Sequence, residues 1–589
     1  KTDTSWKKNY RETPARINNL VHTRLELKPD FSKSHLIGKA WISLKPHFYP
    51  TDSLTLDAKG MEFRKVAVMK AGKIQELPYQ YDDFQLKIKL DKTYKNTEIY
   101  TVYIEYTAKP NEFEEKYAEN SLLGIKGMYF INPLGEEKDK PTQIWTQGET
   151  ESNSAWFPTI DKTNQKTTQE LSVTVDNKYV TLSNGKMVTQ KKNSDGTRTD
   201  TWKMDLPHAP YLFFLGVGEY AVVKDSWKGK EVNYYVEPAF APVAKKIFGL
   251  TPEMMSFFSK VTGVEYPWPK YSQITGRDYI SGAMENTTAT LHSDMAQQTA
   301  RQLIDGNGWE SVIAHELFHH WFGDYVTTES WSNITVNESF ADYSELLWFE
   351  YKYGKDAGDA ENNNGMQNYL QSNSEKKDLV RFYYADKEEV FDAVSYQKGG
   401  RILHMLRNYV GDSAFFKAIN NYLVTNKFKS AEAHQLRLAF EEVTGRDLNW
   451  FFNQWYFSNG HPTVDIDYVY DDAAGKATVI VKQTQKTGKY FKLPIAIDVY
   501  QGAAKTRYNV WANNAIDSFT IPYTKRPDLI NVDGDKVMLW SKKDNKNLDN
   551  YIHQYKYAGS YLDRKEAIDY AATKADDPKA VELIRTALN

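Results

Sequence analysis

A short run containing two histidines and a glutamate has the residue types and spacing of a metal site. In His315-Glu316-Leu317-Phe318-His319 the histidines are four positions apart. On a helix they lie about 40° apart on one face, so both imidazoles can bind one metal ion. Glu316 lies about 60° round from His319, off the line of a ligand but near enough to take a proton from a water at the metal. The segment predicts metal-assisted hydrolysis with Glu316 as the general base.

A carboxylate further along the chain is the candidate third ligand. Catalytic zinc sites have three protein ligands and leave a fourth position open. Glu338 follows the second histidine after eighteen intervening residues and begins a helical pattern in N-E-S-F-A. Asp342 and Glu345 share its helix face, where they either orient a ligand imidazole or lie on a solvated surface. His320 is displaced by about 140° from His315, so we expect a structural role for it.

The elements around these residues are helical, and two β regions flank them. Apolar residues recur at three- to four-residue spacing in 242–263 and in the motif segment 309–324, which we predict to be helical throughout. Alternating runs across 16–222 predict a large antiparallel β domain, and alternation returns after residue 461 in a sandwich of roughly 85 residues. The polar run G-D-A-E-N-N-N-G at 358–365 is interpreted as a loop.

The order of these patterns predicts a multidomain α+β protein. Helical periodicity resumes near Asn547, and we expect those helices to bury apolar faces that include Ala567, Ala571 and Val581. The predicted domains are an N-terminal β domain (1–222), a zinc catalytic domain (223–460), a β-sandwich (461–545) and an incomplete C-terminal helical domain (546–589).

The composition excludes several kinds of site and partner. The chain has no cysteine, so disulfides and thiolate metal sites are excluded and a metal must be held by histidines and carboxylates. A net charge of −3 offers no basic footprint for nucleic acid or an anionic membrane. The longest apolar run, Tyr211 to Val223, is interrupted by two glycines and a glutamate and falls short of the roughly 20 residues that span a bilayer.

The absence of cysteine and the first residue of the chain also bear on the cellular compartment of the protein. An absence of cysteine is compatible with an oxidising envelope compartment, so we predict a periplasmic or secreted protein, with the cytoplasm as the alternative. Because the chain opens with Lys1 and not Met, we expect it to be processed or trimmed, with any targeting signal outside it. No oligomeric state is predicted.

The metal motif is one of several blocks that occur in a recognisable order. The others are Y-P-W-P-K-Y, G-A-M-E-N, H-H-W-F-G-D-Y-V-T, Y-Q-K-G-G-R-I-L-H-M-L and W-Y-F-S-N-G-H-P. From about residue 20 to the end, the chain resembles the gluzincin aminopeptidases of the aminopeptidase N family. The resemblance implies a saddle-like β domain, a thermolysin-like catalytic domain, a small β-sandwich and the first part of a helical-repeat domain.

The resemblance also implies roles for individual residues. One Zn²⁺ per chain is implied, bound by His315, His319 and Glu338, with Glu316 as general base. Tyr396, in S-Y-Q-K-G, matches the family tyrosine that donates a hydrogen bond to the developing oxyanion.

Selection of a free N-terminus requires a carboxylate that holds an ammonium group at a fixed distance from the metal. By resemblance, Glu285 of G-A-M-E-N is that anchor. The other members of the block align the peptide through the adjoining backbone: Gly282, Ala283, Met284 and Asn286. Two threonines follow the block where the family commonly has Trp-Gly.

An N-terminal block supplies a second carboxylate. In Thr146-Gln147-Gly148-Glu149, Gln147 is implied to line the pocket for the first side chain, and Glu149 to assist in binding the amine. Glu151 could occupy that place in another register, although Glu149 is favoured. The family arginine that usually precedes F-P-x-x-D is missing from S-A-W-F-P-T-I-D.

The predicted function is therefore zinc-dependent release of N-terminal amino acids from peptides with a free N-terminus. Three alternatives remain. A thermolysin-like endopeptidase would lack G-A-M-E-N. A leukotriene-processing epoxide hydrolase has a similar site, but no residue here identifies a lipid substrate. Some relatives are interaction scaffolds with degenerate zinc sites, whereas every ligand is present in this chain.

Overall fold

A computed structural model describes residues 9–117 and 125–589. The chain forms two compact units. The first comprises Lys1–Ala341, Phe382–Phe391 and Phe416–Ala439, and the second comprises Asp342–Arg381, Asp392–Phe415 and Phe440–Asn589. The mixed α+β class is confirmed, with a β-rich N-terminal region. None of the helices in the described ranges is long and apolar enough to cross a membrane.

The N-terminal region is built on a large sheet whose strands alternate between buried and exposed residues, as in His35–Pro46. Asn18–Asp30 pairs in parallel with Thr167–Asp176, which is an exception to the predicted antiparallel pairing. The long chain segment between these two strands permits a parallel crossover. In spatial order the eight strands are Lys186–Lys192, Thr197–His208, Thr167–Asp176, Asn18–Asp30, His35–Pro46, Tyr100–Ala108, Met61–Lys70 and Lys73–Glu76.

Two smaller sheets complete this region, and a mixed five-stranded sheet follows it. One smaller sheet has the strand order Thr51–Asp57, Gln85–Tyr94, Tyr79–Tyr81. The other has the strand order Val180–Ser183, Leu215–Gly218, Gln143–Thr146, Met128–Ile131. The five-stranded order is Ala221–Trp227, Lys230–Val236, Tyr271–Gly276, Ala289–Ser293, Ala283–Met284.

Helices occupy most of the chain between Ala244 and Trp455. They are Ala244–Phe248, Thr251–Thr262, Glu310–Phe318, Thr335–Tyr353, Lys355–Gln371, Gly399–Val410, Asp412–Asn426, Ala433–Thr444 and Asn449–Trp455. Short strands at Val326–Thr328 and Lys429–Ala431 pair in parallel.

Two predictions about this helical region are wrong. The polar run at 358–365 lies inside Lys355–Gln371, because that helix buries Met366 and Tyr369 despite its polarity. A Cβ at Gly358 would come within 2.8 Å of Glu350 Cβ, so glycine allows the close approach of two helices. The motif helix ends at Phe318 and does not reach residue 324.

The predicted β-sandwich is present in the second unit, and three helices follow it. One of its sheets has the strand order Ile516–Pro522, Lys476–Gln483, Thr463–Asp471, Ser541–Asp544. The other has the strand order Ala504–Ala512, Leu493–Gln501, Leu529–Val532. The helices are Leu548–Tyr557, Tyr561–Ala572 and Pro578–Leu588. Ala567 and Ala571 are buried as predicted, but Val581 is 39% exposed because Ala580 and Leu583 form the inner face of the last helix.

Candidate metal centre

The two motif histidines and Glu338 converge in the first unit. His315 lies in Glu310–Phe318, and His319 continues its last turn by donating its backbone N–H to His315 O at 3.2 Å. Glu338 Oε2 lies 3.5 Å from His315 Nε2 and 3.3 Å from His319 Nε2. All three side chains are buried, and one ligand atom from each lies within 4.8 Å of the others. This arrangement can hold a metal ion.

The donor set suits zinc. Two imidazole nitrogens and one carboxylate oxygen match the ligands of catalytic zinc sites. Glu338 Oε2 is buried and has no hydrogen-bond partner among residues 9–117 and 125–589, as expected for an atom whose partner is a cation. His319 Nδ1 donates to Phe322 O at 3.0 Å, which leaves its Nε2 lone pair directed to the metal position. Burial acts to raise the pKa of Glu338, but the charges of His319 and His315 bring it down to about 2.

A glycine that the sequence reading missed makes room for this imidazole. Gly323 has a φ of +136°, and a Cβ at that position would lie 3.1 Å from His319 Nδ1. Its backbone N–H donates to Val326 O at 2.8 Å, so the chain turns back beside the ligand after the helix ends. A glycine four residues after the second histidine could have signalled this turn.

Glu316 lies beside the ligands on the same helix. It is buried, and its Oε2 has no hydrogen-bond partner in the described structure. Burial raises the pKa of Glu316 to about 8. A metal ion bound by the neighbouring side chains would favour the ionised form of Glu316, which is the form that a general base requires.

Two further carboxylates adjoin the metal position. A carboxylate oxygen of Glu285 lies within 4.8 Å of a carboxylate oxygen of Glu316 and of a ring nitrogen of His319. Carboxylate oxygens of Glu149, Glu285 and Glu338 also lie within 4.8 Å of one another. Burial, reinforced by the neighbouring carboxylates, raises the pKa values of Glu149 and Glu285. One carboxylate oxygen of each residue is buried and has no hydrogen-bond partner in the part of the chain that the structure describes. The cluster has an excess of negative charge that a cationic group would compensate.

Glu151, the alternative to Glu149, differs from it in charge pairing. Glu151 Oε2 lies 2.6 Å from Lys162 Nζ and 3.5 Å from Lys387 Nζ, and its Oε1 accepts from Trp331 Nε1 at 3.0 Å. These contacts hold the pKa of Glu151 at about 2 although burial acts to raise it. Glu151 is therefore already compensated, whereas Glu149 lies in the cluster beside the metal position.

The rest of the G-A-M-E-N block forms the edge of the five-stranded sheet. Ala283 and Met284 pair with His292 and Leu291 in antiparallel register. No heavy atom lies within 4 Å of the place where a Cβ on Gly282 would be, and the side-chain amide of Asn286 has no hydrogen-bond partner among the described residues. The block thus presents backbone at a sheet edge next to Glu285, where an extended peptide could align.

Gln147 is held by residues that the sequence did not single out. Tyr279 Oη donates to its Oε1 at 2.7 Å, and its Nε2 donates to Met284 Sδ at 3.4 Å. The amide therefore has a fixed orientation beside the edge strand. Trp145 packs against the Tyr279 ring at 5.2 Å.

Tyr396 belongs to the second unit. It lies in the short helical segment Val394–Lys398, and its backbone N–H donates to Asp392 O at 3.1 Å. Asp342 and Glu345 continue the helix of Glu338 into the same unit. The group assembled in the first unit comprises His315, His319, Glu338, Glu316, Glu285, Glu149, Gln147 and the block Gly282–Asn286. The role of Tyr396 stays a prediction.

Known proteins resemble this chain over most of its length. The model of the Peptidase family M1 domain matches residues 247–455, and that of the Peptidase M1 N-terminal domain matches residues 9–212. Glutamyl aminopeptidase of Bos taurus is 26% identical over 471 residues, which cover 76% of this chain and 47% of that protein. Probable aminopeptidase 2 of Sulfurisphaera tokodaii is 28% identical over 458 residues, or 75% of this chain and 54% of that protein. The chain spans about half the length of these curated relatives.

A solved structure shares the fold. The crystal structure of Legionella pneumophila aminopeptidase A in complex with aspartic acid superposes with a TM-score of 0.80 and 18% identity. The match covers 98% of this chain and 67% of that one.

Proposed function

The chain belongs to peptidase family M1, and from this premise we propose that it is a zinc-dependent aminopeptidase that releases N-terminal amino acids from peptides. The observation that carries the proposal is the position of Glu285. Its buried carboxylate lies within 4.8 Å of both the general base and a metal ligand. A substrate ammonium bound there would be held a fixed short distance from the reacting carbonyl.

Each proposed role follows from the position and chemistry of the side chain. A zinc ion held by His315, His319 and Glu338 would polarise the scissile carbonyl and lower the pKa of the attacking water. Glu316 takes a proton from that water and returns it to the leaving amine. Glu285, assisted by Glu149, holds the N-terminal ammonium.

Two further residues have proposed roles. By resemblance to the family tyrosine, Tyr396 is assigned as a hydrogen-bond donor to the oxygen that gains charge in the transition state. Gln147 lines the pocket for the first side chain. Its amide is already bonded to Tyr279 and Met284, which fixes the orientation of this side chain.

The function is tested by measuring zinc and by comparing two substrates. We expect about one zinc per chain, the stoichiometry of a single three-ligand site. An aminoacyl chromogenic amide should be hydrolysed, and its N-acetylated form should resist hydrolysis because it has no ammonium group. Equal hydrolysis of both forms would favour an endopeptidase. A zinc-free, inactive protein would favour an interaction role.

Replacing Glu338 with alanine should lower zinc occupancy, because one of three protein ligands is lost. Metal analysis after dialysis against a weak chelator measures the effect. Glu151→Gln is the matched control, since Glu151 is a partly buried glutamate of the same unit outside the ligand group, and the zinc content of this variant should match the wild type. Full occupancy in Glu338→Ala would identify another ligand.

Tyr396→Phe should lower kcat with little change in KM. It removes one donor to the developing oxyanion, a loss of about 2.7–4 kcal/mol in transition-state stabilisation. Tyr220→Phe is the control, because it removes a buried hydroxyl that donates to Thr275 O at 2.9 Å in the core. A rise in KM at constant kcat would make Tyr396 a substrate-binding residue instead.

A further inference from the structure

Thr288, just after the G-A-M-E-N block, has an unfavourable backbone conformation. Its φ is +67°, in the left-handed region that β-branched residues rarely adopt. Such a conformation persists only where the surrounding structure holds it, and such residues cluster at functional sites. Thr288 is fully buried. Its surroundings should therefore contain the contacts that impose this conformation.

Every polar group of Thr288 is hydrogen-bonded. Its backbone N–H donates to His320 Nε2 at 2.9 Å, and its Oγ1 accepts from the backbone N–H of Gly185 at 2.8 Å. Its carbonyl oxygen accepts from Lys270 Nζ at 2.8 Å and from the backbone N–H of Ser272 at 2.9 Å. A glycine would tolerate this φ but could not make the Oγ1 contact.

His320 connects this loop to the metal-binding helix. Its Nδ1 lies 3.1 Å from the backbone oxygen of Glu316. Because Nε2 accepts the Thr288 N–H, Nδ1 must carry the single ring proton and donate it to Glu316 O. Both ring nitrogens are thus occupied, and His320 is fully buried. It has no nitrogen left for a metal or a substrate.

We propose that His320 and Thr288 form a positioning bridge that sets the distance between the amine anchor Glu285 and the general base Glu316. Glu285 lies three residues before Thr288, and the bridge ends on the backbone of Glu316 itself. The inference rests on the proposed aminopeptidase function. It identifies two positioning residues for the choice of the first peptide bond, since neither touches the substrate or the metal.

The expected consequence is a loss of substrate selection. If the loop moves relative to the helix, the ammonium no longer places the first carbonyl at the metal. A misplacement of about 1 Å can cost on the order of 10²-fold in rate. Substrates with a blocked N-terminus do not use Glu285 and should be affected less.

The test compares three variants, each loaded with zinc. The measured quantity is the kcat/KM for a peptide with a free N-terminus divided by the kcat/KM for its N-acetylated form. His320→Leu removes both hydrogen bonds and should lower this ratio by about 10²-fold. His320→Gln can accept from Thr288 and donate to Glu316, and should restore the ratio to within about tenfold of the wild type. His208→Leu is the control, because His208 is a fully buried histidine that bonds Gln169 Oε1 at 3.0 Å and is bonded to neither Thr288 nor Glu316, and this variant should leave the ratio unchanged.

A measurement that does not depend on activity tests whether the His320–Thr288 bridge is formed. The ring nitrogens of His320 can be observed by NMR in protein labelled with ¹⁵N-histidine, and their signals are those that disappear in His320→Gln. In the wild type, His320 should show a protonated Nδ1 and an unprotonated Nε2. The opposite tautomer, or a doubly protonated ring, would overturn the bridge even if His320→Leu does not fold. An unchanged substrate ratio in folded His320→Leu would overturn its positioning role. An inactive wild type with the expected tautomer would overturn the proposed function and leave the bridge intact.

Discussion

Glu316→Gln is expected to retain zinc and to lose at least about 10²–10⁴-fold in turnover. The amide is nearly isosteric with the carboxylate and leaves the three predicted ligands in place. It cannot accept a proton at neutral pH, so the attacking water loses its base. Zinc content and kcat measured on the same preparation separate the two effects.

Glu310→Gln provides the matched control for this change. Glu310 is a buried glutamate in the first turn of the same helix, and its replacement should leave kcat close to the wild-type value. Near-normal turnover in zinc-loaded Glu316→Gln would refute the assignment of the base. Loss of zinc from that variant would show that Glu316 takes part in metal binding.

Glu285→Ala should sharply lower kcat/KM for peptides with a free N-terminus while zinc content stays constant. Removing one partner of a buried charge pair costs on the order of 2–5 kcal/mol. The substrate ammonium would lose its counter-charge and the peptide would lose the contact that aligns its first bond. Acetylated peptides should be poor substrates of the wild type and should lose little more in the variant.

The ratio between the two substrates distinguishes this effect from a folding defect, which would lower both rates together. Glu151→Gln again serves as the control, because Glu151 is paired with Lys162 and Lys387 outside the cluster. If Glu285→Ala leaves the ratio unchanged, Glu285 is not the amine anchor and the aminopeptidase proposal fails.

Much of the fold could be predicted because secondary structure leaves a local periodic signal. Alternation identified the strands of the N-terminal region and of the sandwich, and three- to four-residue spacing identified the helices. The errors have local causes. At 358–365 the polarity of the segment hid a helix that packs through Gly358, and after Phe318 the turn at Gly323 ended a helix that apolar spacing alone would have continued. The predicted domain boundaries stay predictions.

The pairing of the two candidate ligands His315 and His319 followed from the sequence alone, because two histidines four residues apart on a helix must share a face. Glu338 followed as a candidate from its spacing and its place at the start of a helical pattern, whereas Glu285 required the resemblance carried by the ordered blocks. Only the tertiary structure showed that Glu151 is paired with lysines while Glu149 lies beside Glu285 and Glu338. The role of Glu149 stays a prediction. The tertiary structure also gave His320 its place between Glu316 and Thr288. These contacts join residues distant in sequence, so they depend on how strands, loops and helices pack and leave no local pattern along the chain.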